Sequence, residues 1–172
     1  MGCVILLSGG YDSALIAATH KCDFALWVDY GQQSRQQEVL AARTLARQLG
    51  IELRTAHAPL QMSGDRVSDP VVPARNAVLL SLAANMTEDG DTILIGCNAN
   101  DHDLFADCRP DFLRAIGAAL GRQVIAPLMY MTKKQILKQL GDLSVDCWTC
   151  YLPRDGAPCG HCVACRTVEA AR

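Results

Sequence analysis

Over its first 141 residues the chain alternates short strand-like runs with segments of helical period, and this alternation restricts the fold more than any single motif does. Residues 4–7 read as a buried strand and 12–20 as a helix. Residues 24–30 (FALWVDY) form a second strand. The stretch 34–49 then carries apolar residues at 39, 42, 45, 46 and 49, one face of a helix, and Gly50 is its stop signal. A third strand covers 52–58, followed by a loop of mixed Ser, Asp, Gly and Pro residues over 59–74. Residues 75–86 are helical and rich in Ala and Leu, 92–97 are a fourth strand, and 111–120 a helix. A short strand over 124–126 ends at Pro127, and a helix over 132–140 has Thr132 as its cap. Strands alternating with helices predict an α/β fold, a doubly wound and mostly parallel sheet covered on both faces.

After Gly141 that pattern stops and a tail rich in Cys, Pro and Gly takes over. The expected organisation is therefore a nucleotide-binding α/β domain over 1–141 and a small metal-binding module over 142–172, packed on the same domain. The full 172 residues suit one domain, able to bury roughly 70% of its unfolded surface. Half of the residues are apolar, a globular composition. A formal net charge of −2 argues against a large footprint for duplex nucleic acid, so no stable nucleic-acid binding is expected. No apolar run approaches the ~18 residues of a membrane span, and the first residues read as a core strand rather than a leader. The expected location is the cytoplasm.

The junction of the first strand and first helix reads Ser8-Gly9-Gly10-Tyr11-Asp12-Ser13. In a doubly wound sheet, ligands sit at the C-terminal ends of strands. Adjacent glycines let backbone approach a ligand, and the amides of the following helix turn face an anion. Ser8 and Ser13 add hydroxyl donors. Asp12 is the odd member, because a carboxylate repels phosphate. It makes sense as a holder of Mg²⁺ or as the helix cap. The bland alternative is a tight turn.

Five of the nine cysteines fall in the tail, as Cys147-Trp-Thr-Cys150 and Cys159-Gly-His-Cys162-Val-Ala-Cys165. In a reducing compartment such a cluster reads as a metal site rather than a disulfide framework. Paired cysteines let thiolates grip one tetrahedral zinc ion. Five compete for four places: Cys159, Cys162 and Cys165 are hard to exclude, which leaves Cys147 or Cys150 as the fourth. His161 beside Cys162 is a strained ligand, and buried free thiols or a redox cysteine pair are the alternatives.

The hexapeptide SGGYDS resembles the SGGxDS signature of the PP-loop ATP pyrophosphatases, of adenine-nucleotide alpha-hydrolase-like fold. With VDYGQQ (28–33), VPARN (72–76), IGCNANDHDLFADCRPDF (95–112) and the tail CY…PCGHCVAC (150–165), nearly the whole chain resembles the 7-cyano-7-deazaguanine synthase family. That resemblance implies zinc on Cys150, Cys159, Cys162 and Cys165, leaving Cys147 out. It implies ATP binding by Leu7, Ser8, Gly9, Gly10, Tyr11, Asp12, Ser13, Ala14, Leu15, Ile16 and Asp29, with Mg²⁺. It gives catalytic roles to Asp12, Ser13, Arg75 and Lys133, and deazapurine contacts to Tyr30, Gln32, Asn76, Asn98, Asp101, Asp107 and Arg109. The implied reaction adenylates the carboxylate of 7-carboxy-7-deazaguanine, lets ammonia form the amide, and uses a second ATP to reach the nitrile. The resemblance also implies a homodimer.

There are departures. The segment between the third strand and VPARN is shorter than is usual in that family, and Phe105-Ala106 replaces its Tyr-Pro. The alternatives are a related enzyme that stops at the amide or passes the acyl group to another amine such as a protein terminus, and, less favoured, a tRNA thiolase or an inactive nucleotide-binding module.

Overall fold

The computed structural model describes residues 1–61, 71–141 and 145–172. Its strands are β1 (Cys3–Leu6), β2 (Phe24–Asp29), β3 (Glu52–His57), β4 (Thr92–Leu94) and β5 (Gln123–Ile125). Its helices are α1 (Tyr11–Thr19), α2 (Arg35–Leu49), α3 (Arg75–Asn85), α4 (Pro110–Leu120), α5 (Lys133–Leu140) and α6 (Val163–Ala171), with a 3-10 turn at Ala106–Cys108. The five strands lie in the order β3-β2-β1-β4-β5, and every pairing is parallel.

Side chains along a strand alternate between faces, and here both faces are buried. Val4 and Leu6 join Phe24, Leu26, Val28 and Ile93 in a core closed by Leu80 and Ala83 of α3 and Leu113 of α4. Ile5 and Leu7 join Ala25, Trp27 and Leu94 in a second core closed by α1, α2 and α5, with Leu15, Leu45 and Ile136 fully buried. Each such Leu or Ile contributes roughly 1.5–3 kcal/mol by leaving water. That two-sided burial is why β1 and β2 read as unbroken apolar runs. β3 sits at an edge and is half-exposed, which matches its mixed composition (ELRTAH).

The helix starts follow local chemistry. Thr132 caps α5 through a full capping box with Gln135, as its sequence position predicts. Pro110 stands at the first turn of α4, where its missing N–H costs nothing. Two expectations need correction. The fourth strand ends at Leu94 rather than at residue 97, because the backbone leaves the sheet at Ile95–Cys97 to pass close under the first loop. The tail is not patternless, because Cys162 is the N-cap residue of α6, which buries Ala164 and Val168, four residues apart on one face. The expected loop over 59–74 falls largely on residues outside those described.

Candidate nucleotide site and candidate metal centre

The chain winds from β1 outward through β2 to β3, then returns to place β4 on the other side of β1. The strand order therefore reverses between β1 and β4, and such a switch point leaves a crevice at the C-terminal strand ends. A cleft of about 1030 Å³, its open mouth included, lies there. Leu7, Ser8, Gly10, Asp12 and Ser13 line one side, and Ile95, Gly96, Cys97 and Asp101 another.

The two adjacent glycines have different jobs. Gly9 has φ +83°, and a Cβ on it would lie 2.8 Å from the Ala41 Cβ and 2.9 Å from backbone atoms of Glu38 and Ala42. No other residue fits against α2 in that conformation. Gly10, at φ −81°, is ordinary extended backbone and serves as the N-cap residue of α1 without a side-chain cap. Asp12 therefore does not cap the helix. The Ser8 and Ser13 hydroxyls lie 3.2 Å apart, Gly10 N donates to Ser8 Oγ, and Ser13 Oγ donates to Gly10 O. Opposite the loop, a Cβ on Gly96 would stand 3.1 Å from Asp12 Cβ, so this glycine is what lets the segment leaving β4 pass close to the first turn of α1.

Lys133, first residue of α5, reaches 121 positions back to Asp12, with its Nζ 2.7 and 2.6 Å from the two carboxylate oxygens. The pair is shielded, with side chains 10% and 21% exposed. Lys133 N also donates to Asn100 Oδ1, which fixes the start of α5. Burial first, then the charge of Asp12, raises the Asp101 carboxyl to about 6, although Asn98 N donates to its Oδ2 and Lys133 and Arg75 oppose the shift. Arg75 lies across the cleft with its guanidinium 6.0 Å from the Tyr30 ring centre and hydrogen-bonded to Asn76 Oδ1. Burial works against its charge, but Tyr30, Tyr151, Cys108 and Asp107 outweigh it and the guanidinium stays firmly protonated.

The other sequence-predicted residues divide in two. Tyr30 and Asn76 line the cleft with Arg75. Gln32, Asn98, Asp107, Arg109 and Asp29 do not; they hold backbone in place. Gln32 accepts from Tyr30 N and donates to Val28 O and Glu38. Asp107 accepts from Asn76 N, Arg109 donates to His102 O, and Asp29 accepts from Gly31 N. Asn98 is fully buried, with Oδ1 taken by Asn100 N and Nδ2 without a partner among the described residues. Ala14, Leu15 and Ile16 are core residues that seat α1 on the sheet, and Tyr11 packs beside them.

Sequence reasoning missed a further part of the cleft wall, made by Trp148, Thr149 and Tyr151 from the cysteine tail. Trp148 N donates to Gly9 O at 2.8 Å, so the tail is tied directly to the glycine loop. Trp148 Nε1 donates to Cys150 O, which carries that tie into the cysteine cluster. Only the position of an aromatic residue between two cysteines hinted at this, and packing of the cysteine module explained it equally well.

Cys150, Cys159, Cys162 and Cys165 bring their sulfurs within 4.8 Å of one another. A tetrahedral zinc ion with bonds of ~2.3 Å needs sulfurs on the order of 3.8 Å apart, so the set fits such an ion. Cys159 N donates to Cys150 Sγ and Cys162 N to Cys159 Sγ, the N–H support that thiolate ligands use. Burial opposes ionisation of Cys159, yet the backbone N–H groups of His161 and Cys162 help bring its thiol down to about 6. His161 is turned away, with Nδ1 on the Cys159 carbonyl. Cys147 stands outside the cluster, packed against the second core, and burial followed by Asp146 and Asp12 pushes its thiol up to about 12.

A family model described as "Queuosine biosynthesis protein QueC" matches residues 2–64 and 55–171. The chain belongs to the QueC family. The 7-cyano-7-deazaguanine synthase of Pseudomonas aeruginosa is 38% identical, over 95% of this chain and 89% of its own length. Those of Novosphingobium aromaticivorans and Xanthomonas euvesicatoria are 35% and 34% identical, over 97% and 95% of this chain and 88% and 89% of theirs. At this similarity to synthases, this QueC-family chain is an enzyme. A solved structure described as a predicted subunit of tRNA methyltransferase from Methanocaldococcus jannaschii shares the fold, with TM-score 0.56, 18% identity, and coverage of 82% of this chain and 74% of that one. The P. aeruginosa alignment runs over 201 positions against the 172 residues here, so the relative carries residues without counterparts in this chain. The two family matches overlap over 55–64, which starts inside β3 and runs past its end.

Proposed function

We propose that this chain converts 7-carboxy-7-deazaguanine and ammonia to 7-cyano-7-deazaguanine at the expense of ATP, as an AMP-forming carbon–nitrogen ligase of the deazapurine (queuosine-type) pathway. The observation that carries this reading is the pairing of a phosphate-type loop at the sheet's switch point with Arg75 across one shared cleft.

A carboxylate is a poor electrophile, and its adenylate has a good leaving group. Catalysis is then positioning and charge neutralisation. The Ser8 and Ser13 hydroxyls and the free N–H groups opening α1 face the β- and γ-phosphates, assisted by the helix dipole. Arg75 neutralises the carboxylate of the substrate or the α-phosphate, and Tyr30 and Asn76 border the deazapurine. Mg²⁺, when bound, supplies further charge neutralisation, and Asp12 is the residue that would hold it. Lys133 sets the direction of that carboxylate and places an ammonium group at the loop. Zinc on Cys150, Cys159, Cys162 and Cys165 holds the tail in shape.

A second reading is favoured by the residues that the P. aeruginosa relative carries and this chain lacks: the same adenylate is met by another amine, such as a protein terminus, or the reaction halts at the amide. One incubation separates the two. Protein, 7-carboxy-7-deazaguanine, ATP, Mg²⁺ and ammonium are combined and the products identified by mass. AMP with nitrile supports the first reading, and AMP with amide alone supports the second. Absence of substrate-dependent AMP overturns both.

A further inference from the structure

Two cysteines outside the metal cluster face one another. Cys3 opens β1, and Cys22 lies two residues before β2. The parallel register pairs Val4 with Phe24, which sets Cys3 beside Asp23. Asp23 N donates to Cys3 O, and Cys3 N donates to the Asp23 carboxylate, both at 2.8 Å, so the backbone is held on both sides of the contact. The two sulfurs are 2.8 Å apart, against roughly 2.05 Å for a covalent S–S bond. Each cysteine is partly exposed and within reach of a small reagent.

We propose that Cys3 and Cys22 are a reversible redox modification site, closing an intrachain disulfide at the end of the sheet opposite the cleft. The cysteines are 19 positions apart, and the ring they close contains the whole loop Ser8–Ser13 and helix α1. The oxidant is a low-molecular-weight disulfide. One protein thiolate attacks it, forming a mixed disulfide and releasing one small thiol. The second protein thiolate attacks the protein-side sulfur, forming the Cys3–Cys22 bond and releasing the other small thiol. Two electrons leave the protein thiols, and their two protons end on the two small thiols. Burial, followed by the partner thiol, holds Cys22 well above its ordinary range, so the exchange proceeds slowly at neutral pH. The linkage stabilises chiefly by restricting the unfolded chain.

The test uses metal-loaded full-length protein equilibrated with oxidised and reduced glutathione at several ratios. It is then alkylated and cleaved after Lys and Arg without reduction. Cleavage at Lys21 separates the two cysteines into different peptides, so the disulfide appears as a linked pair lacking two hydrogens. The expected result is a linked pair that dithiothreitol releases, with bound metal unchanged and Tm raised on the order of 5 °C or more. Cys22→Ser, or Cys22→Ala should the serine variant not fold, is expected to lose both the linked peptide and the Tm rise. Recovery of Cys3 and Cys22 only as separately alkylated or separately glutathionylated peptides would overturn the proposal. So would a Tm rise that survives in the Cys22 variant.

Discussion

Gly9, Asp101 and the Asp12–Lys133 pair carry the residue-scale expectations. Gly9→Ala has to place a Cβ at positive φ against α2, a conformation that alone costs about 1–3 kcal/mol. Its Tm should fall by several degrees and ATP-analogue binding should weaken, whereas Gly10→Ala, at ordinary φ and with its Cβ in ordinary contact with Ser8 Oγ and Trp148 O, should fold like the parent. Burial and the Asp12 charge hold the folded Asp101 carboxyl up at about 6, against the ordinary 3.8 of the unfolded chain. Between those values the folded state holds the extra proton, so stability declines as pH rises from about 4 to 6 and is level above. Asp101→Asn should remove that slope and gain roughly 1–3 kcal/mol at pH 8, read by urea unfolding at a series of pH values. Lys133→Met strands a shielded carboxylate and should cost about 1–3 kcal/mol while slowing AMP release markedly. An unchanged Tm in that variant would contradict the pairing.

At the scale of elements, the cysteine tail is a wall of the cleft as well as a metal module. Trp148 joins the glycine loop through its N–H and the cysteine cluster through its indole. Losing the metal should therefore loosen Gly9 as well as the tail. Chelation, or Cys150→Ser, is expected to release about one zinc per chain and weaken ATP-analogue affinity at least several-fold by calorimetry. Cys147→Ser, outside the cluster, should retain both metal and affinity. Equal metal loss in the two variants would refute the ligand set. α6 belongs to the same element-scale lesson. Its helical period sits inside VACRTVEAA, but cysteine spacing dominates the stretch, and a nine-residue helix is marginal until Ala164 and Val168 find a surface.

For the whole molecule, the expectation inherited from the family resemblance is a homodimer, checked by light scattering against the 18.6 kDa of one chain. Among the described residues no helix is long and apolar enough to cross a membrane. Much of the architecture was legible beforehand, because two-sided burial turns parallel strands into apolar runs and helices into periodic ones, and both patterns are local. Val4–Leu6, Leu45 and Ile136 announce their burial through neighbours in sequence. The loop SGGYDS and the cysteine-rich tail were legible for the same reason, whereas spacing left Cys147 and Cys150 competing for the fourth ligand place and only the family resemblance chose between them. What the sequence could not order was contact across distance. Lys133 finding Asp12, Trp148 finding Gly9, and Gly96 making room for Asp12 depend on strand order, which no local pattern encodes. The same holds for the polar residues after β4, whose composition suited a ligand equally with a scaffold. Only tertiary packing turned Asp101 toward the cleft and gave Asn98, Asp107 and Arg109 to the backbone around it. Residue types and spacing thus determined which chemistry this chain carries, and the reversal of strand order between β1 and β4 decided where it is assembled, because only there do two strand ends diverge and leave space for a ligand.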